Sequence, residues 1–95
     1  SRDHLKAIVD IQTGNLRKLL IEQQMDIELT DQAKRFLADE GYDPVYGARP
    51  LKRAIQRELQ DPLSLAVLEG RFGPGSTIVV DYDGEQRSLT LNTAG

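Results

Sequence analysis

Between residues 3 and 24 the apolar side chains fall at Leu5, Ile8, Val9, Leu16, Leu19 and Leu20, in steps of three and four. That spacing returns to one face of a 3.6-residue helix and predicts an amphipathic helix. Gly14-Asn15 sits inside the run. A glycine there costs about 1 kcal/mol relative to alanine, so a bend or a break is expected. The period then drops to two. Met25, Ile27 and Leu29 alternate with Asp26 and Glu28, the pattern of a half-buried strand.

Thr30 is placed as an N-cap, with Asp31 in the first turn, where the helix dipole favours an anion. Ala33, Phe36 and Leu37 form the apolar stripe of this second helix, and Gly41 is expected to end it in the left-handed conformation. Residues 42–49 read as a loop shaped by Pro44 and Gly47. Pro50 suits a helix start, and Leu51, Ala54, Ile55 and Leu59 supply a buried face. Asp61-Pro62 repeats the start signal, so a further helix is expected there, ending at Gly70. Gly73-Pro74-Gly75 has the order of a type II turn.

At the far end Ile78, Val80 and Tyr82 alternate, and Asp83-Gly84 signals a two-residue hairpin. Pairing across such a turn sets Ile78 opposite Leu89, extends the same face to Leu91, and turns Val79 and Asp81 outward. The fold class expected is α+β, with helices packed on one face of a small, mainly antiparallel three-stranded sheet.

Ninety-five residues make one small domain (1–95) with a modest core, leaving little room for an enclosed catalytic pocket. At 39% apolar and 28% charged residues the chain is neither disordered nor membrane-like in composition. A net charge of -3 argues against a role in coating nucleic acid, and no stretch approaches a membrane span, so neither nucleic acid nor membrane is expected as a partner. With no cysteine there is neither a disulfide nor a cysteine-held metal, and no metal site is expected. The polar opening Ser1-Arg2-Asp3-His4, without a starting Met, reads as a piece of a longer protein.

The most informative stretch is residues 41–55, Gly-Tyr-Asp-Pro-Val-Tyr-Gly-Ala-Arg-Pro-Leu-Lys-Arg-Ala-Ile. Its loop delivers Arg49 to the start of a helix, where unpaired N–H groups and the dipole already favour an anion. Arginine adds a permanent charge and a planar fork of donors that fits phosphate oxygens. The small Gly47 and Ala48 leave room for a ligand or another domain to come close. This is half of a phosphate site. No GxxxxGK[ST] motif is present to cradle other phosphates or hold magnesium, and no acidic strand end is placed to activate water. The alternative is that Arg49 merely caps the loop or pairs with a carboxylate.

Residues 41–55 resemble the sensor-2 segment of the Clp family of AAA+ unfoldases, in the two-ring branch. The order of elements resembles that family's C-terminal small, or lid, domain over essentially the whole chain. The ending, Gly73-Pro74-Gly75 followed by Ile78-Val79-Val80-Asp81, looks most like the ClpB type. The resemblance implies that Arg49 is the sensor-2 arginine, contacting the terminal phosphate of ATP bound with Mg in an adjoining large domain. It implies that Gly47 and Ala48 line the nucleotide cleft. It also implies a homohexameric, cytoplasmic disaggregase acting on unfolded or aggregated protein. This chain would be its nucleotide-sensing and assembly part and not an enzyme by itself. Two alternatives stand beside it: the same domain from a ClpA- or ClpC-type unfoldase that feeds a protease, and a purely structural hexamer-assembly module.

Arg49, Arg53 and Arg57, with Lys52, make a basic stripe on one helix face, read either as a contact with nucleotide or a neighbouring subunit or as a solvated face offset by Glu58 and Asp61, the latter being the expectation for Arg53 and Arg57. His4, the only histidine, has no companion set for metal or catalysis and is expected in solvent. Tyr42 and Tyr46 are expected to pack the loop, and the hairpin edge is open to pairing with another chain.

Overall fold

The computed structural model describes residues 2–94, so Ser1 of the polar opening and Gly95 lie outside the described residues. Helix α1 (Arg2–Ile21) leads into strand β1 (Asp26–Leu29) and helix α2 (Asp31–Glu40). After the 42–50 loop come α3 (Leu51–Ile55), a π-helical segment (Gln56–Gln60) and α4 (Asp61–Leu68), then β2 (Thr77–Asp83) and β3 (Ser88–Thr93). The strand order is β1-β2-β3. β1 and β2 are parallel, with Ile27 beside Ile78 and Leu29 beside Val80, and β2 and β3 are antiparallel. The parallel pair needs a crossover, and α2, α3 and α4 supply it. The α+β expectation therefore holds, with a mixed sheet.

The core gathers where the sequence places apolar stripes. Val9 from α1, Ile27 from β1, Leu37 from α2, Leu51 and Leu59 from the crossover, and Ile78 and Val80 from β2 are all fully or almost fully buried. Phe36 stacks on Tyr82, ring centroids 4.8 Å apart, tying α2 to β2.

Several local expectations are corrected. Helix α1 runs unbroken through Gly14-Asn15. Buried Leu5 and Val9 before the glycine and Thr13, Leu16 and Leu20 around and after it hold one face to the core, so packing overrides propensity. The Thr13 hydroxyl donates to Val9 O at 2.8 Å, which lets a polar group be buried mid-helix. The helix expected at Asp61-Pro62 is present as α4, but it continues the preceding helical run instead of starting afresh, for residues 51–68 are helical throughout. Pro62 has no N–H and its ring would meet the carbonyl four residues back, so the backbone widens by one π turn just before it. Asp61 N–H accordingly donates to Gln56 O.

Gly41 does cap α2, but at φ −91°, not in the left-handed region. Its lack of a side chain serves close packing instead. A Cβ there would lie 2.6 Å from Leu51 Cα and 2.8 Å from Leu51 Cβ. The hairpin is also longer than Asp83-Gly84 suggests. Asp83 pairs with Ser88, leaving residues 84–87 as the loop. The Asp83 carboxylate accepts from Glu85 N–H at 2.9 Å and Gln86 N–H at 3.3 Å, and Arg87 takes φ 54°. Ile78 therefore faces Thr93, Val80 faces Leu91 and Tyr82 faces Leu89. The slip is an even number of residues, so Leu89 and Leu91 keep the face expected of them. The turn at 73–75 and the end of α4 are as expected. Ser76 N–H closes on Gly73 O at 3.2 Å, while Gly70 (φ 77°) and Arg71 return bonds to Val67 O and Ala66 O.

Thr30 is the joint between sheet and helix. Its hydroxyl accepts from Ala33 N–H at 3.1 Å, capping α2, and donates to the Asp81 carboxylate at 2.8 Å. That bond from Thr30, and a second from Tyr82 N–H, hold the Asp81 carboxyl below the usual carboxylate range. The Asp26 carboxyl is lowered too, chiefly by accepting from Ile27 N–H and further by Arg17.

Three substitutions test these contacts. Gly41→Ala should destabilise the chain by about 1–3 kcal/mol, because the added methyl meets the Leu51 backbone. Gly14→Ala, with nothing within 4 Å of the added atom, should stabilise it by about 0.4–1 kcal/mol. Thermal unfolding reads both, and a neutral Gly41→Ala would contradict the close approach. Thr30→Ala should cost about 1 kcal/mol at neutral pH through the lost cap. Because the folded-state Asp81 carboxyl is lowered, its stabilisation is full above the usual carboxylate range and is lost as pH falls through its folded value. The gap between wild type and Thr30→Ala in urea unfolding should therefore narrow on acidification; a gap independent of pH would separate Asp81 from Thr30.

Candidate functional site

The 42–50 loop is built on its own hydrogen bonds. Asp43 N–H donates to Gly47 O at 2.8 Å, and Gly47 N–H returns to Asp43 O at 2.7 Å. Inside this ring the Asp43 carboxylate accepts from Val45 N–H at 2.7 Å and Tyr46 N–H at 3.0 Å. The turn closes only if residue 47 takes a positive φ; it lies at 63°, where a glycine carries no steric penalty. A Cβ on Gly47 would touch nothing. Its smallness therefore answers to backbone shape and not to a tight neighbour. Ala48 packs against the hydrophobic core, so of the two small residues it serves as an anchor.

Arg49 follows directly, its N–H donating to Tyr46 O at 3.2 Å. Leu51, Ala54 and Ile55 turn inward and are almost fully buried, which fixes the rotation of α3. Arg49, Lys52 and Arg53 are left exposed on the outside. Among the described residues Arg49, Lys52 and Arg53 make no carboxylate ion pair. The Arg49 guanidinium instead lies over the Tyr46 ring, its Cζ 5.5 Å from the centroid.

The basic stripe divides at Arg57. That guanidinium is 3.0 Å from Glu58 and 3.7 Å from Glu40, so it joins the π segment to the end of α2. Glu40, not Asp61, is the second counter-charge. The helix start offers fewer free donors to an anion than the sequence suggests. Pro50 has none, Arg49 N–H is taken by Tyr46 O, and Leu51 N–H is taken by Ala48 O at 3.0 Å. Beyond the N–H groups of Lys52 and Arg53, anion binding here rests on the exposed side chains of Arg49, Lys52 and Arg53.

Tyr42 and Tyr46 do not pack the loop as expected. They stand 56% and 61% exposed, with Val45 beside them at 79%. The backbone bonds of Asp43 shape the turn without them, so their rings are spare for other contacts. Sequence reasoning missed the carboxylate of Asp43, although an Asx-turn before Pro44 is a legible turn signal. His4 is exposed at the start of α1. Among the described residues no group of three His, Asp or Glu side chains is placed to hold a metal, and no helix is long and apolar enough to cross a membrane.

Comparison with known proteins shows the family of the chain. The family described as the C-terminal, D2-small domain of ClpB protein matches residues 1–80. The chaperone protein ClpB of Rhizobium meliloti is 60% identical over 79 residues, covering 83% of this chain and 9% of that protein. Chaperone protein ClpB 2 of Synechocystis is 49% identical over 89 residues, covering 94% of this chain and 10% of its own length. Chaperone protein ClpB of Rhodopirellula baltica is 48% identical over 82 residues, 86% of this chain and 9% of its own. The chain thus spans about a tenth of the length of the curated relatives it matches. On the family match and these identities, the chain belongs to the family of C-terminal D2-small domains of ClpB chaperone proteins.

Proposed function

We propose that this domain is the nucleotide-sensing and assembly lid of an ATP-driven protein disaggregase, with Arg49 as its sensor-2 arginine. The observation that carries this reading is a permanent cation with no carboxylate partner among the described residues, held outward on a tightly bonded loop, in a chain of the ClpB D2-small family. A guanidinium used only for architecture finds a carboxylate or carbonyl, as Arg17, Arg57 and Arg71 do. Arg49 keeps its fork for a group outside the domain. In a full-length protein that group is the terminal phosphate of ATP, bound with Mg in the adjoining large domain. Hydrolysis then changes what Arg49 holds and moves the small domain against the large one. Gly47 and Ala48 act from behind, Gly47 by closing the turn and Ala48 by anchoring it.

The assembly role has separate support. Tyr42 and Val45 on the loop, and Leu19 and Leu68 elsewhere, are large apolar side chains 56–85% exposed. Exposed apolar area of this kind suits burial against neighbouring domains and subunits. The reading places the domain in a homohexamer in the bacterial cytoplasm, working on unfolded or aggregated protein. Because the relatives reported above carry the ClpB name, a ClpA- or ClpC-type unfoldase feeding a protease is the less supported reading.

Arg49→Ala in a full-length protein, with the first ring's hydrolysis disabled, should slow ATP turnover by at least about tenfold, or roughly 1.4 kcal/mol. Arg49→Lys should recover little, since a point charge lacks the planar fork. Wild-type turnover in both would leave only the assembly role. The 95-residue chain alone should bind ATP more weakly than millimolar. One charge-assisted contact contributes about 1.5–3 kcal/mol, below the roughly 4 kcal/mol that millimolar affinity needs. Micromolar binding by calorimetry would contradict this.

A further inference from the structure

We propose that Tyr46 is a positioning residue for Arg49, its ring holding the guanidinium oriented before any phosphate arrives. The inference rests on the nucleotide-facing reading of Arg49 given above and adds the residue that prepares it. At 5.5 Å from the ring centroid, the Arg49 Cζ is within the distance at which a cation is drawn to an aromatic face. The attraction is between the guanidinium charge and the ring face and uses none of the N–H donors, which stay available to oxygen acceptors.

The loop makes this geometry durable. Arg49 N–H bonds to Tyr46 O, Tyr46 N–H bonds to the Asp43 carboxylate, and Gly47 closes the turn between them. Both backbones are therefore fixed three residues apart with the ring and the guanidinium on the same outer side. Neither side chain is buried, so the ring is not there to fill the core. A long, rotamer-rich side chain loses conformational entropy when a ligand orders it, and an arginine already resting on a ring has less left to lose.

A second arginine on a ring shows the contrast. Arg71 lies 5.4 Å from the Phe72 centroid, but Phe72 is buried and the Arg71 guanidinium donates to Leu91 O at 3.1 Å. That pair belongs to the architecture. In the Tyr46–Arg49 pair the ring is exposed and the guanidinium donors have no acceptor among the described residues, which is the arrangement of a part waiting for a ligand.

The test has two arms. In the 95-residue chain, NMR should find the Arg49 side-chain δ protons shifted upfield by the ring current in wild type and Tyr46→Phe, and at ordinary positions in Tyr46→Leu. In a full-length protein with first-ring hydrolysis disabled, Tyr46→Leu should slow ATP turnover about two- to fivefold, the worth of an exposed cation–π contact. Tyr46→Phe should restore it. In the Arg49→Ala background Tyr46→Leu should have no further effect, since it acts only through Arg49. No upfield shift in the wild-type chain would overturn the proposal even if Tyr46→Leu failed to fold. So would an equal loss from Tyr46→Leu with and without Arg49, or wild-type turnover in Tyr46→Leu while Arg49→Ala is slow; both leave the reading of Arg49 intact. Wild-type turnover in Arg49→Ala would overturn that reading and this one with it.

Discussion

Leu51 packs onto a position at the end of α2 that has no space for a side chain, and the placement of Arg49 depends on that contact. A Cβ on Gly41 would fall 2.6 Å from the Leu51 Cα, so α3 can start where it does only because residue 41 is glycine. With Leu51 held there and Ala54 and Ile55 inward, the rotation of α3 has no freedom left. The loop between Gly41 and Leu51 must then reverse within a few residues. It does so through the Asp43–Gly47 bonds and the positive φ of Gly47, and it ends with Arg49 on the outside. Core packing, turn chemistry and the exposed cation are consequences of one close approach.

The arginines show how the chain separates structural charge from available charge. Arg17 donates to Ile27 O at 2.6 Å and to the Asp26 carboxylate at 2.8 Å, beside the strand at one edge of the sheet. Arg71 donates to Leu91 O in the strand at the other edge. Each occupies a backbone acceptor that another strand would otherwise seek. Arg57 fastens the π segment to α2 through Glu40. The π segment keeps residues 51–68 one helical run across Pro62, so Leu59 before the proline and Leu63 after it reach the same core. A single rigid piece thus runs from the Arg49 loop to the exposed Leu68.

Much of this was legible in the sequence because it depended on local patterns. The strand at Ile27, the Thr30 cap, the stripe of Ala33 and Leu37 and the inward set Leu51, Ala54 and Ile55 all follow from period and capping alone. The segment of residues 41–55 was specific enough to point to the family. What failed depended on partners far along the chain. Gly14 is tolerated because α1 is held on both sides of it by the core, which no local propensity records. Gly41 looked like a conformational glycine when its real partner is Leu51. The hairpin register turned on whether the Asp83 carboxylate closes a longer loop, and Asp83-Gly84 alone favours the shorter one. Tyr42 and Tyr46 stay exposed because the Asp43 carboxylate shapes the loop through its backbone bonds, a role that aromatic residue type alone does not reveal.

The most direct measurement is a structure of a full-length protein carrying this domain, bound to a non-hydrolysable ATP analogue and magnesium at the second ring. The Arg49 guanidinium should lie within hydrogen-bond distance of the terminal phosphate, about 2.7–3.2 Å, with its Cζ still over the Tyr46 ring. Arg49 turned to a protein carboxylate or left in solvent while the analogue is fully bound would contradict it.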